Sequence, residues 1–422
     1  MTENIRYVCS KMFTDLNIRF PYESIKNCCK SNDTKISVDD IKSLDDKLLT
    51  HNVDYRVRKK SMLFDNELPK GGCDTCVYTE PNSLFRSWND WKHKTDYDNQ
   101  EIDNLYNNEN FSYYEFVLST DCDLKCVYCG AKDSSSWALE LGETKRKPSD
   151  EWKTLVENKV VEHLKNKTYN DNQKTYFFSF SGGEPTYNIE MINFIKNILE
   201  VIPQKQSVIC ISTNLNTKAK IFDRFLDLID ENPDLVFVMS CSFEDIGKRC
   251  EAIRTGLVWD RAMSNMDQLF LRNNAEVQIA PTPNLYSLPN TLEFIKFFVE
   301  KFKSNNRFLP EGESTGPNRH VLNTHAMFSH NMVQEDPLSP QSMPEEYKIH
   351  LTESIDYCYK NELNIFAKHL ERMRELIGSN INEKTSESIK QKFDYFKLIR
   401  PEYDWENLFP HVSDIIEKTK GI

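Results

Sequence analysis

The sequence predicts an α/β protein built on a partial (β/α)6, TIM-like barrel, with a cysteine-rich segment before it and a helical extension after it. Between residues 108 and 363, short runs rich in β-branched and aromatic residues alternate with amphipathic helical stretches. The strand candidates are 111–118, 175–181, 207–212, 236–242, 276–281 and 320–326, and the helical patterns are 150–165, 189–201, 219–229, 260–271, 288–302 and 345–359. Such alternation implies parallel βαβ crossovers, and ligands of such sheets gather at the C-terminal ends of the strands. Polar and cysteine-bearing motifs fall at those ends.

The flanks read differently. Residues 1–107 hold short irregular segments and the cysteines Cys9, Cys28, Cys29, Cys73 and Cys76. Residues 364–422 carry two helical patterns, 366–377 and 386–399, ended near Pro401. The expected domains are therefore 1–107, 108–363 and 364–422. The stretch 312–317, with its glycines and Pro317, reads as a plain loop.

Composition narrows the class. Of the 422 residues, 39% are hydrophobic and 12% aromatic, enough for a sizeable core. A net charge of −12 argues against broad nucleic-acid binding, which needs a basic surplus to displace counterions, but leaves room for a nucleotide in a local basic pocket. No apolar run approaches the roughly 18–20 residues of a membrane span. The N-terminal stretch lacks the apolar centre of a signal peptide, so a cytoplasmic location is expected. In a reducing compartment, closely spaced cysteines point to metal binding or catalysis before disulfides.

The strand at 111–118 runs into Cys122-Asp123-Leu124-Lys125-Cys126-Val127-Tyr128-Cys129-Gly130. Three thiols at this spacing can reach three corners of a cubane iron–sulfur cluster from one loop, leaving the fourth iron open for chemistry. The same spacing also suits a zinc site completed by another side chain, or three unrelated core thiols. After the second strand come Ser181, Gly182, Gly183, Glu184, Pro185 and Thr186. Adjacent glycines let a ligand approach the backbone, with a carboxylate acceptor beside them; an ordinary strand-to-helix turn reads the same way.

The third strand ends in Cys210, Ser212, Thr213 and Asn214, and the fourth in Ser240, Cys241, Ser242, Glu244 and Asp245. These polar residues can bond a ribose or a carboxylate, or simply form turns. Arg254, in the run Ala252 to Gly256, can clamp a carboxylate with its fork or lie exposed on a helix. The fifth strand ends near Pro281, Thr282 and Asn284.

In this order the motifs resemble the radical S-adenosylmethionine (SAM) superfamily, whose signature is a CxxxCxxC loop after the first barrel strand with an aromatic before the third cysteine, here Tyr128. The resemblance implies a [4Fe–4S] cluster on Cys122, Cys126 and Cys129, with SAM bound to its open iron. It implies that Gly182, Gly183, Glu184 and Pro185 hold the amino group of the SAM methionine. It further implies that Ser212, Asn214, Ser242, Glu244 and Arg254 contribute to cofactor binding. The reduced cluster would cleave SAM and the deoxyadenosyl radical would take a hydrogen atom from substrate, with flavodoxin or ferredoxin as reductant.

The CxxC at Cys73 and Cys76, with Cys9 and the Cys28-Cys29 pair, is similar to the twitch (SPASM-like) auxiliary-cluster domain of some members. Glu80, Ser83, Arg86 and the stretch 396–402 match its surroundings. This resemblance implies a second [4Fe–4S] cluster on Cys9, Cys73, Cys76 and one of Cys28 or Cys29; a structural zinc would use the same ligands. Cys210, Cys241, Cys250 and Cys358 read as core thiols.

The expected substrate is a small polar molecule, such as a sugar, a nucleotide sugar or a nucleoside, since no winged-helix-like segment for peptide capture is evident. Peptide or protein side-chain chemistry, and a non-catalytic metal or electron-transfer protein, are the competing readings. Asn284, His320, Asn323 and His325 are candidate substrate contacts, and a lone strand histidine is as readily structural.

Overall fold

A computed structural model of the chain describes residues 7–9, 11–26, 31–43, 53–65, 91–93, 98–107, 111–169, 175–308, 327–329, 333 and 337–420. In chain order its strands are β1 (Tyr7–Cys9), β2 (Asp15–Arg19), β3 (Ser24–Lys26), β4 (Thr34–Lys35), β5 (Trp91–His93), β6 (Tyr113–Val117), β7 (Lys125–Cys126), β8 (Tyr176–Ser181), β9 (Ser207–Thr213), β10 (Val236–Cys241), β11 (Arg254–Thr255) and β12 (Ala275–Ile279). The chain divides into two compact units, Met1–Thr120 with Arg146–Ile211, and Asp121–Lys145 with Ser212–Ile422.

In the first unit, β9, β8, β6 and β2 lie side by side in parallel, and β3 and β4 continue antiparallel beyond β2. Period-two alternation decides which side chains face which way. Leu16, Ile18, Tyr114, Phe116, Phe178, Phe180, Ile209 and Ile211 are all buried, and they share one face. There Tyr114 stacks on Phe178 at 5.2 Å and Phe116 on Phe180 at 5.3 Å. Two helices cover that face. Asp150–Asn166 buries Trp152, Val156, Val160 and Leu164, one residue per turn, and Ser149 caps it by accepting from the Trp152 N–H. Ile189–Leu199 sends Phe194 edge-on to Phe116 at 5.4 Å.

The opposite face of the same strands is polar. Asn17, Glu115, Ser179 and Cys210 occupy one register row. Strand β2 belongs to the stretch 1–107, which the sequence set apart as irregular, yet it pairs along its length with β6. Its five residues, Asp-Leu-Asn-Ile-Arg, alternate apolar with polar and so match the pleat of β6, but so short a run carries little signal. A separate antiparallel pair, β1 with β5, places Cys9 opposite Trp91.

In the second unit, β10 and β12 run parallel, Cys241 opposite Ile279, and the helices Gly247–Ile253 and Trp259–Phe270 occur between them in the chain. The sixth expected strand, 320–326, lies outside the described residues; close by, Phe328 bridges Ile279 in parallel. The helix expected at 288–302 opens as a 3-10 turn, Leu288–Asn290, before Thr291–Ser304, because Pro289 sits where an N–H need not be supplied. The C-terminal helices Lys348–Lys360, Asn364–Leu376, Thr385–Ile399, Trp405–Leu408 and His411–Lys418 follow. They close around Trp405, which stacks on Phe396 at 5.6 Å and meets Tyr286 at 5.5 Å. Among the described residues, no helix is long and apolar enough to cross a membrane.

His163 tests the packing of the first unit. Its ring nitrogen lies 3.0 Å from the Tyr114 hydroxyl, and burial, reinforced by Lys167, pulls its pKa down to about 4. A histidine held neutral stabilises the fold above its ordinary pKa, and that stability is lost as pH falls toward the folded value. Between about pH 6.5 and pH 4 the fold should therefore lose about 3 kcal/mol from this group. Denaturant unfolding across that range should show the loss in the native chain and a flatter profile in His163→Phe; equal slopes would refute the assignment.

Candidate functional site

The cysteine loop is built by backbone pairing before any cofactor is considered. Strands β7 and β11 form a two-residue antiparallel ribbon with Cys126 opposite Arg254 and Lys125 opposite Thr255. The ribbon continues through Val127 N–H to Ile253 C=O at 2.9 Å. A tight turn then brings Cys129 N–H onto Cys126 C=O at 3.1 Å. Gly256 makes the close approach possible: it sits at φ +102, and a Cβ there would meet the Asp123 carbonyl oxygen at 2.8 Å.

The run Ser134-Ser135-Ser136-Trp137 fastens the other side of the loop. Ser134 donates to Leu124 C=O at 2.7 Å and caps the helix Ser135–Glu140. Ser136 donates to Cys122 C=O at 2.7 Å, and Ser135 Oγ accepts from Cys122 N–H at 3.1 Å. The Trp137 indole N–H donates to Cys126 C=O at 3.0 Å. Trp137 is itself backed by the Arg400 guanidinium, 5.2 Å from its ring centroid, and Arg400 bonds Glu140 at 2.7 Å.

Cys126 is buried while Cys122 and Cys129 are partly exposed. The Cys129 thiol beside it, together with the Arg254 guanidinium, holds the Cys126 thiol below its ordinary pKa despite burial. The interaction with Cys126 and burial push Cys129 up. Thiolate is the ligating form. Among the described residues, no three His, Cys, Asp or Glu side chains converge tightly enough to enclose a single metal ion. A cubane takes its thiolates on separate irons, so its ligands stand farther apart than those of one ion. Three thiols on one pinned loop, one already biased toward thiolate, fit such a cluster.

Glu244 and Arg254, both expected at the cofactor, bind each other. Arg254 Nε donates to Glu244 Oε2 at 2.6 Å and Nη2 donates to Oε1, while the Tyr128 hydroxyl reaches Oε1 at 2.8 Å. The carboxylate expected for the Arg254 fork is thus supplied by the protein. Asn214 and Asn216 both donate to Asp123, at 3.2 and 2.7 Å, and Asn216 also donates to Gly256 C=O at 3.0 Å. Ser242 N–H donates to Thr213 C=O at 2.8 Å, and the side chains of Ser212 and Ser242 are partly exposed. Asp245 is also buried, which pushes its carboxyl up to about 6 against the pull of Arg249.

In the first unit, β8 ends at Ser181 and enters the double glycine. Gly182 at φ +89 and Gly183 at φ +56 turn the chain in a way only glycine tolerates freely. A Cβ on Gly182 would meet Val117 Cγ1 at 2.5 Å and Ser119 C=O at 2.8 Å. Glu184, 1% exposed, accepts from the Thr186 N–H at 3.0 Å and its hydroxyl at 2.7 Å, and Pro185 opens the 3-10 turn that follows. Below the glycines, Glu115 accepts from Ser181 at 3.2 Å and from Asn17 at 2.5 Å. Burial raises the Glu115 carboxyl, against the pull of Ser181, Arg19, Lys26 and Lys11.

Asn284, named as a substrate contact, is fully buried and spent on its own turn, accepting from Tyr286 N–H at 3.0 Å and donating to Thr282 C=O at 3.2 Å. Cys28, Cys29, Cys73, Cys76, Glu80, Ser83, Arg86, His320, Asn323 and His325 lie outside the described residues, and of Cys9 only the backbone is described. Cys241, Cys250 and Cys358 are buried as expected of core thiols, whereas Cys210, on the polar face of β9, is partly exposed. The sequence reading missed Asp123, Asn216, Trp137, Glu115 and Asn17. Asn216, two residues after Asn214, and the serine run before Trp137 carried a local capping signal; the other three carried none.

Comparison with known proteins supplies the class. Residues 116–273 match the family model described as the Radical SAM superfamily. That span holds the cysteine loop, the double glycine, the ends of β9 and β10, and Arg254. Residues 116–273 therefore carry a radical SAM domain. A solved structure, a histidine-tagged anSMEcpe with bound AdoMet, is similar at 18% identity and a TM-score of 0.36, over 60% of this chain and 59% of that one. The chain thus matches less than two thirds of that protein's length. No curated protein matches.

Gly256→Ala should strain the ribbon turn against Asp123. The expected result is a lower iron-to-protein ratio after anaerobic reconstitution, and a loss of about 1–3 kcal/mol in denaturant unfolding. Native-like iron loading with native stability would show that the turn relaxes freely.

Proposed function

We propose that this chain reductively cleaves SAM and abstracts a hydrogen atom from a small polar substrate such as a sugar, a nucleotide sugar or a nucleoside. The observation that carries the first part is the pinned loop: Cys126 buried at the ribbon, with Cys122 and Cys129 partly exposed on the same loop. Cys122, Cys126 and Cys129 would hold a [4Fe–4S] cluster that, once reduced, supplies the electron that breaks the C5′–S bond of SAM bound at its open iron.

The chain's own residues do the rest. The Ser135–Glu140 helix and Trp137 fix the Cys122 and Cys126 carbonyls, which holds the backbone that carries the thiols. The positive φ of Gly182 and Gly183 and their missing Cβ atoms leave room for the amino end of the SAM methionine beside the chain, with Glu184 next to them. Support for a small polar substrate comes from the polar sheet face under these glycines. Asn17, Glu115, Ser179 and Ser181 present hydrogen-bonding groups there, and the buried Asn17 Oδ1 has no partner among the described residues. A buried acceptor left unpaired costs about 1–3 kcal/mol, which a ligand hydroxyl or amine would recover.

On the same reading, flavodoxin or ferredoxin supplies the electron, and the protein works in the cytoplasm. A second, auxiliary [4Fe–4S] cluster would be held by Cys9, Cys73, Cys76 and one of Cys28 or Cys29.

The test is anaerobic reconstitution followed by SAM and dithionite. Native protein is expected to release 5′-deoxyadenosine and to carry about eight irons per chain, as two cubanes require. Cys126→Ala should abolish deoxyadenosine release and lose about half the iron. Unchanged iron content in that variant would sink the cluster assignment, and about four irons in the native chain would remove the auxiliary cluster.

A further inference from the structure

Arg254 stands opposite Cys126 in the β7–β11 ribbon, and its Nη1 donates toward Cys126 Sγ at 3.7 Å. Arg254 is 6% exposed and Glu244 3%. Glu244 takes the Nε and Nη2 edge of the fork, and Tyr128 completes Glu244 from the other side at 2.8 Å. The planar fork is therefore oriented by a buried carboxylate, and the edge left over faces sulfur. An arginine whose task were to clamp a ligand carboxylate would need that bidentate edge free, and here it is occupied.

We propose that Arg254 is a positioning residue for the cluster: a charge-assisted N–H···S donor to the Cys126 thiolate that raises the cluster's reduction potential, with Glu244 and Tyr128 fixing its orientation. This rests on the reading of Cys122, Cys126 and Cys129 as cluster ligands. Hydrogen bonds to ligating sulfur and local positive charge both favour the reduced, more negative cluster. The guanidinium touches sulfur while the carboxylate lies on its far side, so the nearer charge dominates. Glu244 thus has two effects: it orients the donor, and it offsets part of the positive field.

The experiment is a potentiometric titration of the reconstituted full chain, followed by electron paramagnetic resonance, on the native protein, Arg254→Gln, Arg254→Lys and Glu244→Gln. The signal to follow is the one that changes when SAM is added. The potential is expected to shift downward in Arg254→Gln, less so in Arg254→Lys, and upward in Glu244→Gln, with iron content kept. Opposite shifts from two partners of one ion pair are something a merely structural role would not produce. If Arg254→Gln does not load with iron, the Lys and Glu244 variants carry the test. Native potentials in the loaded variants would overturn the inference, as would an unchanged potential with lost SAM binding, which would return Arg254 to the cofactor. Absence of any SAM-responsive signal in the native protein would instead overturn the cluster assignment, and this inference with it.

Discussion

The two-residue pairing of Lys125–Cys126 with Arg254–Thr255 is the constraint on which the second unit depends. The loop buries Leu124 and Val127, and hydrogen bonds fix the rest of its backbone. The ribbon supplies them at its centre. Trp137 and the serine run supply them on one side, and Asp123 with Asn214 and Asn216 on the other. Each of these bonds is worth only about 0.5–1.5 kcal/mol net. Together they leave the loop backbone with little freedom to lose when a cofactor arrives.

That network also explains why distant parts of the chain matter to the site. The C-terminal helix Thr385–Ile399 ends at Arg400, which lies over Trp137 and pairs with Glu140. The stretch 396–402, read from the sequence as a terminal signature, thus serves as the backing of the helix that holds the cysteine loop. Its anchor is apolar: Trp405, Phe396, Phe393, Phe409 and Tyr286 form a buried aromatic group whose packing holds Arg400 in place.

The first unit solves a different problem, that of a sheet with two unlike faces. Aromatic ladders and two capped helices make one face a rigid core, which lets the other afford buried polar groups. Glu115 and Asn17 would be liabilities in an ordinary core, since burial disfavours the charged form of one and leaves an acceptor of the other unmet among the described residues.

The sequence by itself determined the elements and the motif order. Periodicity located β6, β8, β9, β10 and β12 and the helices between them within a few residues, because alternation and helical spacing are local properties of the chain. Cysteine spacing and the adjacent glycines were legible for the same reason. Tertiary structure decided what the polar residues do. Arg254 reads identically whether it meets a ligand or Glu244, ten residues away in the chain, and Asn284 reads identically as a contact or a turn. Strand β2 finds β6 across some hundred residues, a pairing set by register and not by composition. Polar side chains acquire their roles from partners far along the chain, and only folding chooses among those partners.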